Sequence, residues 1–217
     1  MPLLRASRET PREKVVRSSV EVRYSFRVDM RGIVHVIEEV PRIRTILFRY
    51  GYRDGFDGKG VPRPKLKTFR IELPWTYFLC TTGSCGIVFT DHRVRSIDEP
   101  ACHAAPLPNT TSDVDGNVNI CLGHGVRGGL NSTIESYKRF WASIFNEELP
   151  PDGVLIPDEL EPKSEYWADA LVKWQSLTRR GKAGRILWCP LWTHIDMDGE
   201  SHKRLHSLRS IASRIGG

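Results

Sequence analysis

The chain has 217 residues, 40% of them hydrophobic, with six tryptophans and a formal net charge of +6. This length suits one domain, or one domain with additions, and the apolar content suffices for a core. No run approaches the roughly eighteen apolar residues of a membrane span, and Met1-Pro2-Leu3-Leu4-Arg5 has no apolar stretch of the secretory-signal kind.

The five cysteines are odd in number and are not spaced as a framework, which reads as a reducing, cytoplasmic setting. Charge gathers at the two ends. Residues 1–31 hold Arg5, Arg8, Arg12, Lys14, Arg17, Arg23, Arg27 and Arg31 against four acids, and residues 202–217 hold Lys203, Arg204, Arg209 and Arg214 with none. A basic surface of this kind can bind nucleic acid. No nucleic-acid motif accompanies it, so the ends read as solvated arms or as docking contacts for an acidic protein partner.

Residues 1–18 are polar, basic and interrupted by Pro11, the pattern of a flexible arm. Val20, Val22, Tyr24, Phe26 and Val28 then alternate with polar residues, which predicts an amphipathic strand. Residues 33–40 and 45–52 give two more strands. Asp54–Pro64 reads as a loop, and residues 68–73 and 75–81 are extended on either side of Pro74. With a strand over 86–90, the first ninety residues read as an antiparallel meander. Residues 93–129 hold few periodic positions, and a long irregular stretch inside a compact domain is usually functional.

Periodicity returns at Ser132-Thr133-Ile134-Glu135, which matches a capping box. Ile134, Tyr137, Phe140, Trp141, Ile144 and Phe145 share one helical face, predicting a helix over 132–147. Trp167, Ala170, Leu171, Trp174 and Leu177 predict a second over 164–179, with Gly181 as its cap. Ile186–Leu191 is short and apolar, and residues 202–215 read as a short basic helix. Strands first and helices after give an α+β class, with an arm over 1–18, a domain over 19–200 and a basic tail over 201–217.

The irregular stretch carries the chemistry. It reads Pro106-Leu107-Pro108-Asn109, a turn-forming run to Gly116, then Asn117-Val118-Asn119-Ile120-Cys121-Leu122-Gly123. Pro108 fixes the backbone beside Asn109. A thiol and a side-chain amide folded back on each other would supply a nucleophile and an oxyanion donor, two parts of an acyl-transfer site. His124 and His103 are the neighbouring histidines, and either could lower the thiol pKa. The competing use of these residues is zinc. Cys80 and Cys85 form a C-x4-C pair that Cys102, His103, Cys121 and His124 could complete, although no second tight ligand pair exists. Ile215-Gly216-Gly217 ends the chain in Gly-Gly, but no compact β-grasp pattern precedes it.

Pro108-Asn109, Gly116 and Ile120-Cys121-Leu122 resemble the catalytic segment of ubiquitin-conjugating (E2) enzymes. That segment reads His-Pro-Asn, a short loop, Gly, then Ile or Val-Cys-Leu. The Pro-Leu-Pro-Asn and Cys-Leu-Gly elements look closer to the bacterial prokaryotic E2 family D, the family of the PRTRC-system B proteins. Two departures stand out: Leu107 replaces the family histidine, and the loop between Asn109 and Cys121 is longer.

The resemblance implies an E2-like (UBC) fold, with a meander, an active-site flap and C-terminal helices. It implies that an E1-like, ThiF-type adenylating enzyme passes a ubiquitin-like protein to Cys121 as a thioester. An amine of a protein substrate then attacks, with Asn109 stabilising the oxyanion. An acidic residue beside the cysteine, among Asp113, Asp115 and Asp152, would assist the amine, and Asp115 and His124 stand as supporting residues. No cofactor and no metal is expected in this step. A non-catalytic scaffold that binds a ubiquitin-like protein or its E1 is the alternative reading, and a small zinc-stabilised module is the third.

Overall fold

The computed structural model describes residues 20–28, 32–50, 65–113, 115–122, 128–146, 154–163, 167–195 and 202–215. The architecture is mixed α+β, with mostly antiparallel sheets and three α-helices among the described residues. The expected arm over 1–18 lies outside them. No helix among them is long and apolar enough to cross a membrane.

The central sheet has five strands. They are β1 (Val22–Val28), β2 (Gly32–Glu39), β5 (Trp75–Cys80), β6 (Cys85–Thr90) and β7 (His103–Ala104), in the order β1-β2-β5-β6-β7. The expected uninterrupted meander is not formed. β2 pairs with β5, and the two strands between them leave to build a second sheet. These are β3 (Arg42–Tyr50) and β4 (Lys65–Leu73), which pair with each other in an unbroken antiparallel register from Arg42↔Leu73 onwards.

Both faces of the central sheet are covered, which explains why β5 and β6 are apolar almost throughout. One face sends Phe78, Ile87 and Phe89 into a core with Phe48, Phe69 and Ile71 of the second sheet. The other sends Val34, Val36, Tyr77, Leu79 and Val88 into a smaller core, which residues from the C-terminal segment close. Neighbouring side chains on a strand point to opposite faces, so Tyr77, Phe78 and Leu79 divide between the two cores.

Helix α1 (Leu130–Ala142) begins two residues before the expected capping box. Its N-cap is Gly129, with φ 110° and no side-chain cap, and Ser132 lies inside the helix. Its C-terminus also corrects the expectation. Ile144 and Phe145 continue the 3.6-residue pattern but form β10 (Ile144–Phe145), which pairs parallel to β3 at Leu47 and Phe48. The α1 face is fixed by a buried polar cluster. The Tyr137 hydroxyl donates to Glu39 Oε2 at 2.7 Å, and Arg44 Nε donates to Glu39 Oε1 at 2.7 Å. The Arg44 guanidinium also lies 4.2 Å from the centroid of Trp141.

Helix α2 (Trp167–Arg179) buries Trp167, Ala170, Leu171 and Trp174 as expected. It closes in a Schellman motif: Gly181 has φ 62°, its N–H reaches Thr178 O at 3.0 Å, and Lys182 N–H reaches Leu177 O at 2.9 Å. The helix also blunts the outer edge of β4. Gln175 Oε1 accepts from Arg70 N–H at 2.9 Å, Thr178 Oγ1 accepts from Glu72 N–H at 2.9 Å, and Trp174 Nε1–H donates to Glu72 O at 2.9 Å.

The last segment is not a tail. It forms β11 (Trp192–Ile195) and β12 (His202–Leu205), an antiparallel pair, and then α3 (Leu208–Arg214), capped by the Ser207 hydroxyl. Leu208, Ile211, Ala212 and Ile215 are fully buried in the smaller core. Arg209, one of the basic residues that suggested a tail, is exposed and pairs with Asp98 at 2.6 Å.

Cys80 and Cys85 form a disulfide across the end of the β5–β6 hairpin, with Cα atoms 4.3 Å apart. The expectation that the cysteines form no disulfide framework therefore misses this one pair. Cys102, Cys121 and Cys189 are free.

Candidate functional site

The Pro-Leu-Pro-Asn run builds a turn. Leu107 O accepts from Thr110 N–H at 3.3 Å, with Pro108 and Asn109 between them. Asn109 has φ 64° and is the one described non-glycine residue with positive φ. Proline at the second position and a positive-φ residue at the third are the requirements of a type II turn, and asparagine tolerates the left-handed region better than most side chains. The Thr110 hydroxyl donates to Leu107 O at 2.6 Å, which holds the turn from inside. Leu107 is fully buried in the larger core. Its side chain packs and takes no part in polar chemistry.

From this turn the chain enters a hairpin of β8 (Thr110–Ser112) and β9 (Val118–Ile120), in register Thr110↔Ile120 to Ser112↔Val118. Asp113 closes the far end: its Oδ1 accepts from Asn117 N–H at 3.0 Å and its Oδ2 from Asn117 Nδ2–H at 2.7 Å. At the near end the ladder continues by one more bond, from Cys121 N–H to Asn109 O at 2.9 Å. Asn109 and Cys121 therefore stand opposite each other across the mouth of the hairpin. Alternation turns Val118 into the core and leaves Cys121 on the solvent side. Asn109 is 9% exposed, and its side-chain amide makes no hydrogen bond among the described residues.

Two close approaches seat this hairpin. A Cβ at Gly86 of β6 would lie 2.7 Å from Val118 Cγ2, 3.0 Å from Ile215 Cδ1 and 3.1 Å from Val118 O. A Cβ at Gly116, where φ is +82°, would lie 2.6 Å from Cδ2 of His206. His206 is buried, and its Nδ1 lies 2.7 Å from Ser210 Oγ. The C-terminal segment thus forms the floor under the hairpin. Gly86 and His206 escaped the sequence reading because only tertiary contact gives them a role; an isolated glycine inside an apolar strand was the one available signal.

The expected supporting residues fare differently. His124 and Asp152 lie outside the described residues. Asp115 is exposed in the closing loop. The three ladder steps from Ser112↔Val118 to the Asn109–Cys121 pair put it roughly 10 Å or more from the thiol residue. Asp113 is occupied in closing the loop. His103 is 9% exposed, with Nδ1 3.1 Å from Trp188 O and Nε2 3.2 Å from Asp91 Oδ2, so both its ring nitrogens are engaged away from the hairpin.

The zinc arrangement is not assembled. The disulfide takes Cys80 and Cys85, and among the described residues no three His, Cys, Asp or Glu side chains are grouped to hold a metal ion. The other free thiols are poorly suited to attack. Burial pushes the Cys102 thiol well above its ordinary pKa, and desolvation, then Asp158 and Glu159, raise that of Cys189. Chemically, the hairpin mouth places a residue with an exposed thiol opposite, in the backbone ladder, a residue with a buried amide.

Compared with known proteins, the chain matches no family model, no curated protein and no solved structure.

Proposed function

We propose that the chain is an E2-like acyl carrier. Cys121 receives the C-terminal acyl group of a ubiquitin-like protein from an E1-like adenylating enzyme as a thioester, and passes it to an amine of a protein substrate. The observation that supports this most is the pairing of Asn109 with Cys121 across the hairpin mouth, by the 2.9 Å bond from Cys121 N–H to Asn109 O. The resemblance of residues 106–123 to the E2 catalytic segment supports it independently, and an E2-like version of the α+β fold belongs to the same reading.

The order of events follows from the chemistry. The thiolate attacks the adenylated carboxyl group, adenylate leaves, and the acyl–sulfur bond forms. An amine then adds to the thioester carbonyl, and its oxygen becomes an oxyanion beside the Asn109 amide. Collapse expels the Cys121 thiolate, which takes up the proton that the amine loses, and leaves an amide and a free thiol. Removing one such donor typically costs roughly 10²–10³ in rate.

Because Asn109 is left-handed, alanine there would strain the turn as well as delete the amide. Glycine deletes the amide without that strain. Asn109→Gly should therefore load Cys121 at the wild-type rate and transfer to an amine about 10²–10³ slower in single-turnover assays. Loading and transfer falling together would make Asn109 a turn residue only, and unchanged transfer would remove its catalytic role. The scaffold reading is favoured by the separation of Asp115 from Cys121, which leaves the attacking amine without that acid among the described residues. A chain that binds the ubiquitin-like protein but never loads would establish that reading.

A further inference from the structure

A second site stands away from the hairpin. A cleft of about 200 Å³ opens where β4 passes into β5, lined by Glu72, Pro74, Trp75, Asp91, Gly184 and Trp188 among others. Asp91 follows β6 at the end opposite Gly86, roughly 16 Å along an extended strand, so the cleft is remote from the contact that seats the Cys121 hairpin.

Its chemistry is distinctive for a chain of net charge +6. The lining includes two carboxylates and two indoles but no lysine or arginine. The Glu72 side chain makes no hydrogen bond or ion pair among the described residues. Its backbone is fixed at both N–H and C=O by α2, so the carboxylate projects from a rigid edge.

Trp188 is 8% exposed and is held by ring contacts with Phe89 at 4.9 Å and Trp174 at 5.3 Å between centroids. Trp75 already carries one cation: the Arg93 guanidinium lies 5.7 Å from its centroid. That charge is met by Glu38, which Arg93 reaches at 3.0 and 2.8 Å. Asp91 lies 3.2 Å from His103 Nε2 through Oδ2.

We propose that this cleft binds a primary alkylammonium group, the lysine side chain of a protein partner. The volume lies below the roughly 300–1,000 Å³ of small-molecule sites and suits one side chain. An apolar stem would lie against Pro74 and the indole edges, and the ammonium would meet the carboxylates of Glu72 and Asp91. A lysine suits it better than a methylated ammonium. The carboxylates accept hydrogen bonds that only a primary ammonium donates in full, and Trp188 is already committed to two aromatic neighbours.

The test is a titration of the full chain with Nα-acetyl-lysine methylamide, its trimethyllysine counterpart and the neutral norleucine isostere, followed by indole NMR shifts. Saturable shifts at Trp75 and Trp188 with the lysine probe, and none with norleucine, are expected. Glu72→Gln with Asp91→Asn should weaken binding roughly fivefold or more. Gly184→Leu should abolish it while the melting temperature stays unchanged, because a Cβ at Gly184 meets nothing within 4 Å.

Equal shifts with norleucine, tighter binding of trimethyllysine, or no effect of the carboxylate variants would each overturn the assignment. None of these readouts involves Cys121, so the outcome is independent of the proposed acyl transfer.

Discussion

Gly86→Ala probes the contact on which the hairpin rests. The added methyl group would meet Val118 Cγ2 at 2.7 Å, below any ordinary contact, and Val118 O and Ile215 Cδ1 at 3.1 and 3.0 Å. The neighbours are a buried side chain, a strand carbonyl and the end of the C-terminal segment, so strand β9 or Ile215 must move. Overpacking of this kind costs about 1–3 kcal/mol. For a chain of this size it lowers the melting temperature by about 2–12 °C.

Val118→Ala alone removes two buried methyl groups and should cost about 2 kcal/mol. In the double variant the tightest clash is gone. The double variant should therefore be less destabilised than the sum of the singles by about 1–2 kcal/mol in a denaturant cycle. Because β9 leads directly to Cys121, Gly86→Ala should also change the alkylation rate of that thiol, and the double variant should restore it. Additivity within about 0.5 kcal/mol would refute the contact. An unaltered alkylation rate would refute the claim that Gly86 seats the hairpin mouth.

Under native conditions without reductant, Cys121 should be alkylated first, Cys189 later and Cys102 last, since burial shields Cys102 and pushes its thiol pKa up; labelling of Cys102 ahead of Cys121 would contradict the burial pattern. Phe140→Ala should cost roughly 3–5 kcal/mol because the ring is fully buried, and Trp141→Ala should cost less because its ring is only partly buried and sits under Arg44. Equal melting temperatures for those two variants would show that the face of α1 is misassigned. Gly116→Ala adds a left-handed φ to a collision with the His206 ring, so pairing it with His206→Ala should recover only the steric part. Full recovery would mean that the positive φ is without cost.

Local pattern carried the elements well. Val22 to Val28 alternates and pairs as β1, Trp167 to Leu177 repeats at helical spacing and packs as α2, and Gly181 ends that helix in the motif its position suggested. What the sequence concealed was non-local. Nothing in residues 42–73 says that β3 and β4 leave the sheet and that β2 meets β5, because pairing depends on which faces find a core. Ile144 and Phe145 satisfy helical periodicity, yet parallel pairing with β3 outweighs it.

The capping box at Ser132 lost to Gly129, whose positive φ starts the helix earlier. Cys80 and Cys85 were legible in principle: two strand patterns joined by Thr81-Thr82-Gly83-Ser84 form a hairpin that sets its end residues opposite each other. At the candidate site, the turn, the asparagine and the cysteine were legible from Pro108 and the spacing. Their facing each other required the register of β8 and β9, and the floor of His206 and Ile215 required the C-terminal segment to fold back.

The most direct test of the acyl-carrier account is the chemistry of the adduct. With an active E1-like enzyme, ATP and the ubiquitin-like protein, the wild type should form an adduct that thiol reductant cleaves. Cys121→Ser should form one that survives reductant but not mild alkali, because an oxygen ester exchanges far more slowly with thiols than a thioester does. Cys121→Ala should form neither. A reductant-resistant adduct on both the wild type and Cys121→Ala would place the acceptor on another side chain, and no adduct on any variant would leave the chain a binding scaffold.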